Sequence, residues 1–191
     1  MVRHKSIFCK LNSILKTDKE IFDAAIKGFQ IHKTICPGCG AKGRCKEHNS
    51  YYRLLITIEY GKRKKYYIEI PRVFCESCES THAILPDVLI PYKSYSLRFI
   101  LFILAKYLQR NCTVEVFCEH WDIAIATLYD WKDIFLEHAS LWLGKLEEAS
   151  VLCEKTLNSI RESEKSPRDF FEQYKFSFLQ RMKTTHSNNT S

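Results

Sequence analysis

The chain has 191 residues, is 46% hydrophobic and carries a net charge of +7. This describes a globular protein with ample material for the core of one ordinary domain or two small ones. The longest apolar run, Phe99-Ile100-Leu101-Phe102-Ile103-Leu104, is far too short to span a bilayer, and no apolar secretory segment precedes the first cysteine pair, so the expected home is a reducing cytoplasm with no membrane partner.

Residues 1–30 read as a helical lead-in: Thr17-Asp18-Lys19-Glu20 is a capping-box pattern, followed by Ile21, Ala24, Ala25 and Phe29 at helical spacing. So small a neighbouring module has little core of its own, and the helix is expected to pack on it. That module, residues 31–91, reads as a zinc ribbon. Cys36-Pro37-Gly38-Cys39 and Cys75-Glu76-Ser77-Cys78 are two Cys-x-x-Cys pairs, and a two-residue gap lets both thiolates of a pair reach one ion while the backbone turns beneath them. Four thiolates close the shell of one tetrahedral Zn²⁺, leaving no position for water, so the metal is structural rather than catalytic. An odd total of nine cysteines and the absence of a βαβ pattern argue against disulfides and a redox dithiol. Cys9, Cys112, Cys118 and Cys153 stand at no ligand spacing and read as core, whereas Cys45, His48 and His82 stay open as competing ligands.

Between the pairs the period changes to two. Leu54, Ile56, Ile58 and Tyr60 share one face, Gly61 begins a turn, and Tyr66, Ile68 and Ile70 follow, predicting a β-hairpin whose pairing ends at Pro71. Its tip is expected at Lys62-Arg63-Lys64-Lys65, which reads either as a solvated turn or, beside Tyr66 and Tyr67, as a phosphate-contacting finger. Lys and Arg outnumber Asp and Glu by 16 to 9 in residues 1–91, against 6 to 8 in residues 92–150 and 7 to 5 thereafter, so the basic excess belongs to the ribbon half. Thr81 to Tyr95, with Pro86 and Pro91, reads as a linker.

Residues 92–145 read as helical. Ser96 caps a helix over Leu97 to about Arg110, stopped by Asn111; Thr113 caps a second through about His120; a third begins near Ala126 with Leu128, Trp131, Phe135 and Trp142 at helical spacing. Three helices joined by short turns predict a helix-turn-helix unit. Residues 146–183 continue as C-terminal helices: Leu146, Val151, Leu157 and Ile160, a break at Ser166-Pro167, and a last helix whose aromatics, Phe170 to Phe178, read as core. Residues 184–191 form a polar tail expected to be disordered. The fold class is thus α+β.

The segment Thr113 to Trp131 resembles the helix-turn-helix of bacterial transposases, with Ala126-Thr127-Leu128-Tyr129-Asp130-Trp131 matching the recognition helix. The order of a Cys-Pro-x-Cys-Gly knuckle, a strand pair, Arg-Val-x-Cys-x-x-Cys, Thr-His-Ala-x-Leu-Pro and Pro-Tyr-x-x-Tyr-Ser resembles small bacterial zinc-ribbon proteins of unassigned function. These are related to the N-terminal regions of insertion-sequence transposases. The resemblance implies sequence-directed binding of double-stranded DNA, with the third helix in the major groove, Ile125, Ala126, Tyr129 and Asp130 facing base edges and Thr127 near a phosphate. Beyond DNA, a separate transposase subunit and a second copy of the chain stay open as partners. The chain departs from that pattern in its acids, Glu119, Asp122, Asp130 and Asp133, which repel phosphates, and in having Asp122 where the turn usually holds glycine.

No strand alternation follows the third helix to build a catalytic α/β sheet, no nucleophile elbow or zinc-protease helix occurs, and six glycines leave little for a nucleotide-binding loop. The expected function is therefore nonenzymatic, with no small-molecule substrate: a zinc-dependent DNA-binding protein, or a protein-interaction module on the same scaffold.

Overall fold

The computed structural model describes residues 2–4, 17–143 and 167–181. The predicted helix through Leu146, Val151, Leu157 and Ile160, the tail, Cys9 and Cys153 lie outside the described residues.

Helix α1 (Asp18–Lys27) starts where the capping box predicts: Thr17 accepts from the Glu20 N–H, and Glu20 reaches back to the Thr17 backbone. Upstream, Val2–His4 is not helical but a short strand, β1. The hairpin is longer than the alternating pattern suggests, with β2 over Cys45–Glu59 and β3 over Lys62–Cys75. Its turn is Tyr60-Gly61, with positive φ at both residues (50° and 72°), the two-residue conformation whose twist matches paired strands. The cationic run is therefore not the tip. Lys62 to Lys65 open β3 and pair with Ile56 to Glu59.

Pairing also runs past Pro71, which sits opposite Ser50, and continues to Cys75 opposite Cys45. Proline is tolerated because the register shifts between Glu47 and Ser50 and because β3 meets its other neighbour only from Arg72 onward. That neighbour corrects the predicted linker: Thr81–Pro86 is strand β4, antiparallel to β3, with Val73 opposite His82. The sheet order is β1-β4-β3-β2, with β1 parallel to β4.

Both faces of the sheet are covered. On one, Leu55, Ile68 and Ile70 pack with Phe22 of α1 and with Val88 and Leu89. On the other, Leu54, Ile56 and Ile58 meet the larger core built by α2 (Leu97–Leu108), α3 (Val114–Trp121), α4 (Ile125–Leu143) and α5 (Pro167–Tyr174). Alternation in β2 thus sends consecutive residues into two different cores. Helix α2 ends at Leu108, short of the predicted Arg110, and is capped by Ser96, whose hydroxyl accepts from the Phe99 N–H. Thr113 caps α3 in the same way through Val116. At the centre of this core the Trp131 ring stands edge-on to Tyr95, 4.7 Å between centroids, and to Phe99 at 6.2 Å.

The C-terminal aromatics are core, though less helical than predicted: α5 stops at Tyr174, Lys175 takes a left-handed φ of 64°, and residues 176–181 run as turns. They close over His138. Its Nδ1 accepts the Leu179 N–H at 2.9 Å, and its ring lies against Phe170, Phe176 and Phe178. Only a neutral imidazole has an acceptor nitrogen. Burial lowers the His138 pKa below 6.5, against an opposing pull from Glu137. Its contribution to stability is therefore full above about 6.5 and is lost as pH falls through the lower folded value. Acidification from pH 7.5 to 5 is expected to loosen residues 170–181 before the rest of the fold, seen as faster amide exchange there, and the acid step is expected to vanish in His138→Gln.

Candidate metal centre and helix surface

The sheet brings the two cysteine pairs to one end. Cys36 lies in the loop leading into β2, and Cys75 ends β3; all four thiol sulfurs of Cys36, Cys39, Cys75 and Cys78 lie within 4.8 Å of one another. Cys36 is 3.6 Å from Cys78 and Cys39 is 3.7 Å from Cys75. Metal–sulfur bonds of about 2.3 Å in a tetrahedron place sulfurs about 3.8 Å apart, whereas a disulfide needs about 2.05 Å. The donor set therefore fits a thiophilic metal ion and does not form disulfides.

Each loop is shaped for this. Gly40 (φ 74°) and Glu79 (φ 53°) both follow the second cysteine of their pair in the left-handed region, turning the chain back so that Cys36 N–H reaches the Ala41 carbonyl and Cys75 N–H the Ser80 carbonyl, each at 2.9 Å. The turn aims backbone N–H groups at sulfur. Burial raises the Cys75 thiol, but N–H groups of Cys78 and Ser77 outweigh it and bring its pKa to about 6; Cys39 and Gly38 do the same for Cys36, also against burial. For Cys39, a hydrogen bond from Ala41 is outweighed by burial and three neighbouring thiols, which push it up to about 12. Four thiolates so close together cannot all persist without a cation.

The residues left open by spacing separate clearly. His48 is exposed, its ring tilted against Phe74 at 5.8 Å between centroids, and outside the cluster. Cys45 is buried beside Cys75, and burial together with the thiols of Cys75, Cys36 and Cys78 pushes its pKa up to about 11, the behaviour of a neutral core thiol. His82 lies closer than its spacing suggests, Nε2 3.3 Å from Cys36 Sγ, because β4 pairing carries it beside the loops. Sulfur–sulfur geometry already accounts for four ligands, and His82 stands where it touches one of them.

The residues expected to face DNA fall into two groups. Lys62 and Lys64 alternate away from the larger helical core, whereas Arg63 and Lys65 both pair with Asp122, Lys65 at 3.4 Å. Asp122, at the end of α3, holds a left-handed φ of 50°, the conformation glycine would take there, and its N–H caps the Cys118 and Glu119 carbonyls. On α4, Ile125 (37% exposed), Ala126 and Tyr129 (38%) face solvent while Thr127 is half-buried. Ala126, Thr127 and Asp130 line a shallow depression with Tyr92, Lys93, Ser94 and Tyr95. Asp130 is engaged within the protein. It pairs with Lys93 at 2.9 Å and with Arg181, which tie it to the segment before α2 and to the C-terminal segment.

What these features define is an α+β protein with a four-cysteine centre able to hold a metal ion. It belongs to a family described as a domain of unknown function, DUF6431, which matches residues 36–131. That span runs from the first cysteine of the cluster to the tryptophan at the heart of the helical core. No curated protein and no solved structure matches the chain. Among the described residues no helix is long and apolar enough to cross a membrane.

Proposed function

We propose that this is a nonenzymatic, zinc-dependent DNA-binding protein of transposase-related type, lacking a catalytic domain of its own. The observation that carries the reading is the pair α3 and α4. Two helices meet through a three-residue turn with Asp122 left-handed, Phe117, Cys118, Ile123 and Leu128 point into the core, and Ile125, Ala126 and Tyr129 are left outward at the start of the second helix. This is the arrangement in which a second helix offers its N-terminal side chains to base edges; Ile125 and Ala126 suit a thymine methyl. The acids of the helix weigh less against phosphate approach than the sequence suggests, because Arg63, Lys65, Lys93 and Arg181 already neutralise Asp122 and Asp130. Zinc is the ion proposed for the four thiolates, since it takes all-sulfur tetrahedral sites in reducing compartments and supplies folding energy rather than an open coordination position.

Titrating the metal-loaded protein onto labelled duplexes, one of random sequence and one from its own upstream region, tests this across a salt series. Affinity is expected to fall linearly in log salt, and Tyr129→Ala is expected to reduce the preference between duplexes without changing that slope. No binding at low salt would sink the reading. A protein-interaction module is the second reading, favoured by the exposure of Val116 on α3 and of Leu136 and Leu141 on α4. It takes a second copy or a separate transposase subunit as partner, and strict monomer behaviour with no captured subunit would count against it.

A further inference from the structure

We propose that the phosphate-contacting surface of this protein is the outer side of the first cysteine loop, formed by Lys33, Lys42 and Arg44 around Ile35, rather than the cationic run at the start of β3. The inference rests on the DNA-binding reading and assigns its backbone contacts.

Geometry places these side chains together. The chain entering Cys36 and the chain leaving Cys39 form a short antiparallel arm: Ile35 is bridged to Lys42, the Gly43 N–H reaches the Thr34 carbonyl at 3.1 Å, and the Cys36 N–H reaches the Ala41 carbonyl at 2.9 Å. Residues opposite one another in such an arm project to the same side, and successive pairs alternate. Ile35 and Lys42 therefore share one side and Thr34 turns inward and is buried, while Lys33, ending the 3-10 turn Ile31–Lys33, and Arg44, following the left-handed bend at Gly43 (φ 66°), flank that pair. Lys33, Lys42 and Arg44 are all exposed, and Ile35 keeps 52% of its surface open.

Charge favours the same place. Over residues 27–48 the chain carries Lys27, Lys33, Lys42, Arg44 and Lys46 against Glu47 alone. Lys46 is held by Glu76 at 2.7 Å, but Lys33 and Lys42 form no ion pair among the described residues. The run at the start of β3 is different: Arg63 and Lys65 are spent on Asp122, leaving Lys62 and Lys64. A hydrogen-bonded arm that carries three exposed cations beside an apolar side chain suits a polyanion that also offers apolar surface. Duplex DNA does so, with phosphates for Lys33, Lys42 and Arg44 and a sugar face for Ile35.

The test compares salt slopes for the metal-loaded protein on one random-sequence duplex, with metal content and melting recorded for each variant. The triple variant Lys33→Ala, Lys42→Ala, Arg44→Ala is expected to flatten the slope by about 3, near 0.9 for each lost phosphate contact, and Lys62→Ala with Lys64→Ala by much less. Lys42→Gln alone, a milder change should the triple variant lose metal, is expected to flatten it by about 1. Ile35→Ser is expected to weaken binding at every salt concentration with the slope kept. If wild-type protein binds with a steep slope and Lys42→Gln and the triple variant leave it unchanged, the assignment is overturned while DNA binding stands. If wild-type protein does not bind at low salt, the DNA reading fails and takes this assignment with it.

Discussion

Cys75→Ser is expected to abolish metal binding and to unfold the end of the sheet that carries the cysteine loops. Cys75 is fully buried as the last residue of β3, and its sulfur has Cys39 at 3.7 Å and backbone N–H groups directed at it. Metal binding at structural sites is worth about 10–16 kcal/mol in small zinc-binding peptides, and three remaining thiolates recover only part of that. The loss should be local, because the helical core and the core beneath α1 are built from other residues. Amide exchange is therefore expected to rise steeply over residues 31–48 and 75–82 and little in α2 and α4. Cys45→Ala is the control: a buried thiol outside the four, it is expected to cost about 1 kcal/mol and to leave metal content unchanged. Full metal content and unchanged melting in Cys75→Ser would remove the metal centre from the account.

Asp18→Ala is expected to destabilise the fold by about 1–3 kcal/mol, the range for leaving a buried donor, here the Thr57 hydroxyl, without its acceptor. The carboxylate is buried at the first turn of α1, accepts from the Thr57 hydroxyl on β2 at 2.5 Å and faces Arg98 of α2 at 3.2 Å. One side chain thus joins three elements. Burial raises its pKa above the ordinary 3.8, outweighing Arg98 and the hydroxyls of Ser96 and Thr57. The folded state then binds this proton more tightly than the unfolded state, so the contribution of Asp18 is greatest below 3.8 and declines as pH rises through the folded value. Asp122 and Asp130 run the opposite way. Arg63 and Lys65 lower Asp122, and for Asp130 burial is outweighed by Lys93 and Arg181, so both contribute above 3.8 and lose their contribution as acid protonates them. Denaturant melts of wild type and Asp18→Asn at pH 4 and pH 7 separate these terms: wild type is expected to gain on Asp18→Asn at the lower pH.

Much of the candidate site was legible because its signals are local. Two Cys-x-x-Cys pairs need only a hairpin between them to converge, and the capping residues Thr17, Ser96 and Thr113 act within one turn. What stayed hidden depends on partners distant in sequence. Thr81 to Ile84 alternates between half-buried and buried as a strand should, but the prolines at 86 and 91 favour a linker, and only pairing with β3 reveals how close His82 comes to Cys36. Lys62 to Lys65 reads as a tip because turns favour charge, while the turn needed two positive φ values and placed them at Tyr60 and Gly61. Asp122 and Asp130 look like an obstacle to DNA until the cations that reach them from 57 to 59 and from 37 to 51 residues away are in view. Such charge pairing leaves no periodic trace in a sequence.

X-ray absorption at the metal edge of the protein as purified is the decisive measurement for the proposed four-thiolate zinc centre. The expected result is one zinc per chain with four sulfur ligands at about 2.3 Å and no nitrogen neighbour at bonding distance. Three sulfurs with one nitrogen at about 2.0 Å would make His82 a ligand in place of one cysteine, and a protein that folds fully without metal would rule out a structural metal centre.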